Sequence, residues 1–232
     1  MARQGFKVYF LSLEMDQKEL MLRMLANICD KDANDIRFHL SKYRKTTDLV
    51  RKFFAQPDKF PMLLTYNVGT TMDELNALIA DLPNPDLVIV DYVQAIRKVD
   101  LDKLSTINNY IVEFRTHCVE NNFCGIMVSQ INREAMATDK KEPYLWQLKG
   151  SGTIEEHADI VLLCHWSHFY DNKIDRKIFK VAIAKNRQGE TTTVDLEYIP
   201  ECYKFREIGT KVYSTPEELE AARRIFEAEE KV

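Results

Sequence analysis

Glycine is scarce in this chain, at 7 of 232 residues, about 3% against a usual ~7%. The seven are Gly5, Gly69, Gly125, Gly150, Gly152, Gly189 and Gly209. They form no G-x-G-x-x-G fingerprint, so a dinucleotide-binding turn of that type is not supported. No G-x-x-x-x-G-K-[ST] occurs either, so these residues carry no standard phosphate-cradling loop. Collagen-like and glycine-rich linker readings fail on the same count. No apolar run approaches the ~20 residues that span a membrane. The stretch Met1–Lys7 lacks the apolar segment of a signal peptide. Cysteine is sparse and odd in number, at Cys29, Cys118, Cys124, Cys164 and Cys202, with no C-x-x-C. That pattern predicts reduced thiols and a cytoplasmic location. No Ser/His/Asp constellation or nucleophile elbow is present.

What remains is the composition of a globular protein. Hydrophobic residues make up 45% and charged residues 29%, with a net charge of −4. Mild acidity gives no general attraction to nucleic acid or anionic membrane, so any such contact needs a local basic patch or a ring of subunits.

The hydrophobic pattern alternates between strand and helix. Lys7–Ser12 is β-branched and aromatic and predicts a strand. Asp16 follows as a helix N-cap, with Glu19 placed to complete a capping box, and Leu20, Met21, Met24, Leu25 and Ile28 keep helical spacing. Thr46–Gln56 predicts a further helix and Pro61–Tyr66 a strand. Thr71 and Glu74 predict a second capping box. Leu87–Asp91, reading LVIVD, is a continuous apolar run of the kind buried in parallel sheets. Leu104–Glu120 predicts a long helix and Gly125–Ser129 a strand. Further on, Asp159–His165 predicts a strand. Lys180–Ala184 and Thr191–Tyr198 predict a hairpin around Asn186–Gly189. Tyr203–Arg206 predicts a short strand, and Thr215–Pro216 starts a final charged helix. Together these predict an α/β fold with a mostly parallel sheet flanked by helices and an antiparallel hairpin toward the C-terminus. The expected division is a main domain over 1–200 and an extension over 201–232.

Ligands of parallel sheets gather at the carboxyl ends of strands. Three predicted strand ends are polar there: Ser12–Glu14, Asp91 and Ser129–Gln130. A carboxylate after a buried strand can hold Mg²⁺, as Asp91 could. Glu14 could polarise a water, although a first-turn Glu also suits a helix dipole. Gln130 could sense a phosphate or be a plain loop amide. Lys185 and Arg187, at the hairpin turn, suit a phosphate contact or simple solvation. Lys149, Gly150, Ser151 and Gly152 precede a predicted helix and could expose amides to phosphate, or form a loop capped by Thr153. With Arg133, Lys140 and Lys141 they make a locally basic stretch that could face a nucleic-acid backbone. Cys164, His165 and His168 lack a second ligand pair, so a core cysteine and partly buried histidines are the expectation.

In order, these segments resemble the C-terminal RecA-like ATPase domain of DnaB-type replicative helicases. The resemblance rests on Tyr9–Met15 (YFLSLEM) with Leu20–Leu25 (LMLRML), on Leu87–Gln94 (LVIVDYVQ), on Met127–Arg133 (MVSQINR), on Leu148–Asp159 (LKGSGTIEEHAD) and on Ala184–Gly189 (AKNRQG). It implies ATP and Mg²⁺ as cofactors, Glu14 as catalytic base, Asp91 as metal ligand, and Gln130 as the link between nucleotide and DNA. It implies that Lys185 and Arg187 reach a neighbouring subunit's nucleotide. Arg133, Lys149, Gly150, Ser151 and Gly152 would line a channel holding single-stranded DNA. The implied assembly is a hexameric ring, with a primase or helicase loader as partner; the chain's compactness points to a phage or phage-like replication module as source. In that family a strand and a phosphate-binding loop precede the first motif. Here Met1–Gly5 precedes it, so the expectation is a loop supplied by other polypeptide, with little hydrolysis by these residues alone. The alternatives are an inactive RecA-fold assembly or DNA-binding subunit, or a recombinase-like relative.

Overall fold

The computed structural model describes residues 1–39, 62–66, 69–97, 103–131, 142–148 and 151–208. Its first half is a parallel sheet of β1 (Val8–Ser12), β2 (Met62–Tyr66), β3 (Leu87–Asp91) and β4 (Cys124–Met127), in the spatial order β2-β1-β3-β4. Val8, Leu11, Val88 and Val90 are buried, as expected of central strands covered on both faces. The register sets Ser12 beside Asp91 and Val90 beside Met127, so the three polar strand ends share one sheet edge. Among the described residues β4 is an edge strand, and its Ile126 is exposed.

Helices cover the sheet. α1 (Gln17–Cys29) is capped by Asp16, which accepts from the Glu19 amide at 2.8 Å. The capping box predicted there is only half formed. The Glu19 carboxylate instead accepts from Arg23 and from Arg37 on α2 (Ala33–Phe38), because two guanidinium groups bind a carboxylate more strongly than a single backbone amide does. The second predicted box is complete. At the start of α3 (Met72–Ala80), Thr71 and Glu74 each accept from the other's backbone N–H. α4 (Lys103–Glu120) lays Ile107, Tyr110, Ile111 and Phe114 against the core formed with Leu11, Val88, Val90 and Leu75.

The second half is an antiparallel sheet in the order β5-β6-β7-β8. Its strands are β5 (Ile160–His165), β6 (Ile178–Asn186), β7 (Thr192–Ile199) and β8 (Lys204–Glu207). A short helix, α5 (Ser151–His157), precedes it. Thr153 therefore lies inside the helix and is not its N-cap. Two seams join the halves. Arg115 on α4 donates to the His157 carbonyl (2.6 Å) and to Asp159 (3.0 Å). At the other seam, Cys202, Ile199 and Tyr203 pack with Leu25, Ala26 and Ile36, and Asp30 pairs with Lys204 and Arg206. Residues 201–207 are thus built into the sheet and its packing. The expected helices over 46–56 and after Thr215 lie outside the described residues.

Candidate functional site

Glu14 follows β1 through a turn organised by Ser12. The buried Ser12 hydroxyl donates to the Met15 carbonyl (2.8 Å) and accepts from the Met15 amide (3.1 Å). The Leu13 amide donates to the Asp91 carbonyl at 2.7 Å. This short closed turn fixes Glu14 next to the end of β3. Burial pushes the Asp91 carboxyl above the usual carboxylate range, the neighbouring Glu14 charge pushes it further, and Arg23 on α1 opposes both. The charged form of Asp91 thus lacks a full counter-charge in the protein itself. Two carboxylates at adjacent strand ends are a hard-oxygen donor set that fits a divalent cation.

Gln130 sits just beyond β4 on the same edge. A residue that the sequence motif contained but gave no role positions it. Gln94, three residues after Asp91, donates from Nε2 to the Ser129 hydroxyl (2.8 Å) and accepts at Oε1 from the Gln130 amide (3.0 Å). The backbone adds Val128 N–H to the Val90 carbonyl (2.9 Å) and Val93 N–H to the Val128 carbonyl (3.0 Å). The segments after β3 and β4 are therefore tied into one rigid unit. Only the tertiary pairing of those two strands reveals the clamp.

Lys185 and Arg187 stand at the β6 hairpin, on the other sheet. The Lys185 ammonium donates to the Glu155 carbonyl. The Arg187 guanidinium donates to Asp159 (3.0 Å) and to the Glu156 carbonyl, and its backbone N–H donates to the Asp159 carbonyl at 2.9 Å. Arg115 holds the other oxygen of Asp159, and this pairing keeps that carboxyl below its usual range. Among the described residues, none of the hydrogen bonds or ion pairs of Lys185 and Arg187 reaches Glu14 or Asp91. The chain's own fold thus presents two separate polar groups, a carboxylate edge and a cationic turn.

Ser151 and Gly152 open α5, whereas Arg133, Lys149 and Gly150 lie outside the described residues. Of the cysteine and histidines at the end of β5, His165 is buried but Cys164 lies on the exposed face of the strand. The expectation of a core cysteine there is corrected, because strand alternation turns adjacent residues to opposite faces. Among the described residues no group of three His, Cys, Asp or Glu side chains could hold a metal, and no helix is long and apolar enough to cross a membrane.

A parallel sheet followed by an antiparallel sheet is the fold of RecA-like ATPase domains. One solved ATPase domain superposes with a TM-score of 0.78 at 22% identity, over 89% of this chain and 76% of that one. A DnaB-like replicative helicase, solved in a study of its interactions with primase, gives a TM-score of 0.78 at 22% identity over 90% of this chain and 53% of that one. The chain belongs to the DnaB-like helicase C terminal domain family, which matches residues 1–207. A probable plasmid replicative DNA helicase of Chlamydia psittaci is 26% identical over 84% of this chain and 43% of its own length. The replicative DNA helicase DnaB of Rickettsia conorii is 26% identical over 90% of this chain and 47% of its own length. The chain spans about half the length of these curated relatives.

Proposed function

We propose that this chain is the nucleotide-hydrolysing motor part of a replicative DNA helicase, which moves along single-stranded DNA within a ring of like subunits. The observation that carries this reading is the convergence of Glu14, Asp91 and the Gln94-clamped Gln130 on one edge of the parallel sheet. Asp91 would hold Mg²⁺, directly or through water, and the ion would neutralise phosphate charge when bound. Glu14 would align and deprotonate the attacking water. Burial and the neighbouring Glu14 charge both raise the proton affinity of Asp91, and a bound cation would relieve both. The phosphate-cradling loop would come from polypeptide outside these 232 residues.

Lys185 and Arg187 would serve the nucleotide of the adjacent subunit. Asp159 and the α5 carbonyls hold the guanidinium in a set orientation at the turn, and a fixed fork suits a phosphate oxygen. Such a cation delivered in trans is worth roughly 10³–10⁵ in rate. Gln130 would pass the state of the nucleotide to the segments after it, which contain Arg133 and Lys149. Those cations, with Gly150, Ser151 and Gly152, would contact the DNA backbone. A primase or a loader would be a further partner of the ring. The test is DNA-stimulated ATP hydrolysis by the assembled helicase carrying Glu14→Gln. Turnover falls at least about 100-fold while nucleotide binding is kept, a loss typical of removing a positioned base. Unchanged turnover would remove Glu14 from the mechanism.

A further inference from the structure

Two large aromatic side chains stand in solvent on the turn that leads to Leu148, the bridge partner of Ile131. Tyr144 is 45% exposed and Trp146 is 65% exposed, and their rings lie 6.4 Å apart at only 11° from parallel. A contiguous apolar patch, and not a single exposed side chain, marks a contact, and here two rings lie side by side. Their backbone is not a loose loop. Residues Leu145–Gln147 form a 3-10 turn, closed by the Gln147 amide on the Tyr144 carbonyl (3.0 Å) and by the Tyr144 amide on Gln147 Oε1 (2.7 Å). Gln147 and Leu148 are buried, and Leu148 packs with Val161 and Leu163 and bridges to Ile131. The inner side of the turn is thus an anchor, and the outer side presents two rigid π-faces.

We propose that Tyr144 and Trp146 form a base-stacking platform for single-stranded DNA. This rests on the reading above that the neighbouring segments hold the DNA backbone. Three features favour nucleic acid as the occupant. First, the turn is one bridge away from Gln130, since Ile131 follows Gln130 and pairs with Leu148. Second, the sequence around the pair holds a slight excess of cations, with Arg133, Lys140, Lys141 and Lys149 against Glu134, Asp139 and Glu142, and Glu142 is paired with Lys180 at 2.6 Å. Third, near-parallel exposed rings offer what every base can use, a flat face, whatever its hydrogen-bonding edge. Phosphate contacts alone would bind without regard to the bases. The platform adds a contact that reads their presence, and because it joins Gln130 through the Ile131 bridge, stacking is coupled to the nucleotide edge.

The experiment uses Trp146 as its own reporter. Trp166, the other tryptophan, donates its indole N–H to the Arg176 carbonyl and packs edge-on against Tyr198. Its replacement by Phe leaves Trp146 as the sole indole emitter. The Trp166→Phe chain is titrated with an oligothymidylate of about 15 nucleotides and with an abasic phosphodiester of equal length, and binding is followed by anisotropy of the labelled strand and by indole emission. The expected result is quenching of Trp146 by oligothymidylate and not by the abasic strand. Trp146→Ala and Tyr144→Ala each weaken oligothymidylate binding about tenfold, within the range of one stacked base. Both leave abasic binding unchanged, and Trp146→Phe retains most of the affinity. Oligothymidylate binding without quenching and without an effect of Trp146→Ala would overturn the platform and leave the DNA reading standing. Failure of the parent chain to bind either strand would overturn both. An emission change that follows protein concentration and not DNA would assign the face to contact between copies and overturn the platform.

Discussion

Gly125 lies in β4 where the strand crosses α4, and its lack of a side chain is what allows that crossing. A Cβ at this position would stand 2.4 Å from Cys118 Sγ and 2.6 and 2.9 Å from Phe114 Cε1 and Cζ. Two opposite effects of Gly125→Ala can be weighed. If the methyl group had room, Ala would stabilise the fold by about 0.4–1 kcal/mol by narrowing the unfolded ensemble. The structure gives it no room. Ordinary contact begins near 3.4 Å, so the sulfur must retreat by about 1 Å, and the Phe114 ring, itself packed against Phe123 at 6.3 Å, blocks the way. Overpacking of this kind costs about 1–3 kcal/mol. For a chain of this length that is a fall in Tm of roughly 2–12 °C. The assay is thermal and urea unfolding of the wild type, Gly125→Ala, Cys118→Ala and the double variant. Because Cys118→Ala removes the nearest atom, the double variant should be less destabilised than the sum of the singles. Burial already pushes the Cys118 thiol up to about 11, so the sulfur is an inert packing atom and its removal brings no lost charge. A Tm equal to or above wild type for Gly125→Ala would refute the packing of α4 on β4.

Two further expectations concern the clamp and the pH response. Gln94→Ala removes three hydrogen bonds; with the two shorter ones worth about 1 kcal/mol each, Tm falls by roughly 4–8 °C. Ser129→Ala in that background should cost less than it does alone, and strict additivity would show that no coupling exists. His165 is buried and its ring lies over Tyr170 at 5.6 Å, and burial holds its pKa below the usual value, with Lys180 acting in the same direction and Glu142 opposing. An unfolded histidine takes up its proton near pH 6.5 while the folded one resists. Stability is therefore unaffected above that pH and declines as the pH drops below it, until the folded ring also protonates. Urea unfolding between pH 8 and 5 should show this decline, and His165→Phe should flatten it. An identical slope in the variant would assign the decline to another group.

Much of the architecture was legible because it depends on local patterns. LVIVD at Leu87–Asp91 is apolar throughout because both faces of a central parallel strand are covered, and the Thr71 and Glu74 spacing produced the box it predicts. The convergence of Glu14, Asp91 and Gln130 was also legible, since strands that alternate with helices run parallel and bring their carboxyl ends together. What failed or stayed hidden depends on residues distant in sequence. Glu19 has the capping-box spacing, yet Arg37 from the next helix claims its carboxylate. The Gln94 clamp exists only because β3 and β4 are neighbours. Asp159, the partner of both Arg115 and Arg187, has no local signal, because its contacts come from a helix and a hairpin on either side. The exposure of Tyr144 and Trp146 has no local signal either, since the fold and not the residue type decides it.

The most direct test of the central claim is a mixing measurement in the assembled helicase. Glu14→Gln subunits keep the cationic turn and lose the base, whereas Arg187→Ala subunits keep the base and lose the turn. Each variant alone should hydrolyse ATP only at a residual rate. If the carboxylate edge of one subunit works with the cationic turn of the next, mixed rings contain interfaces with both parts intact, and hydrolysis recovers to a substantial fraction of wild type. Mixed rings no more active than the separate variants would contradict the account.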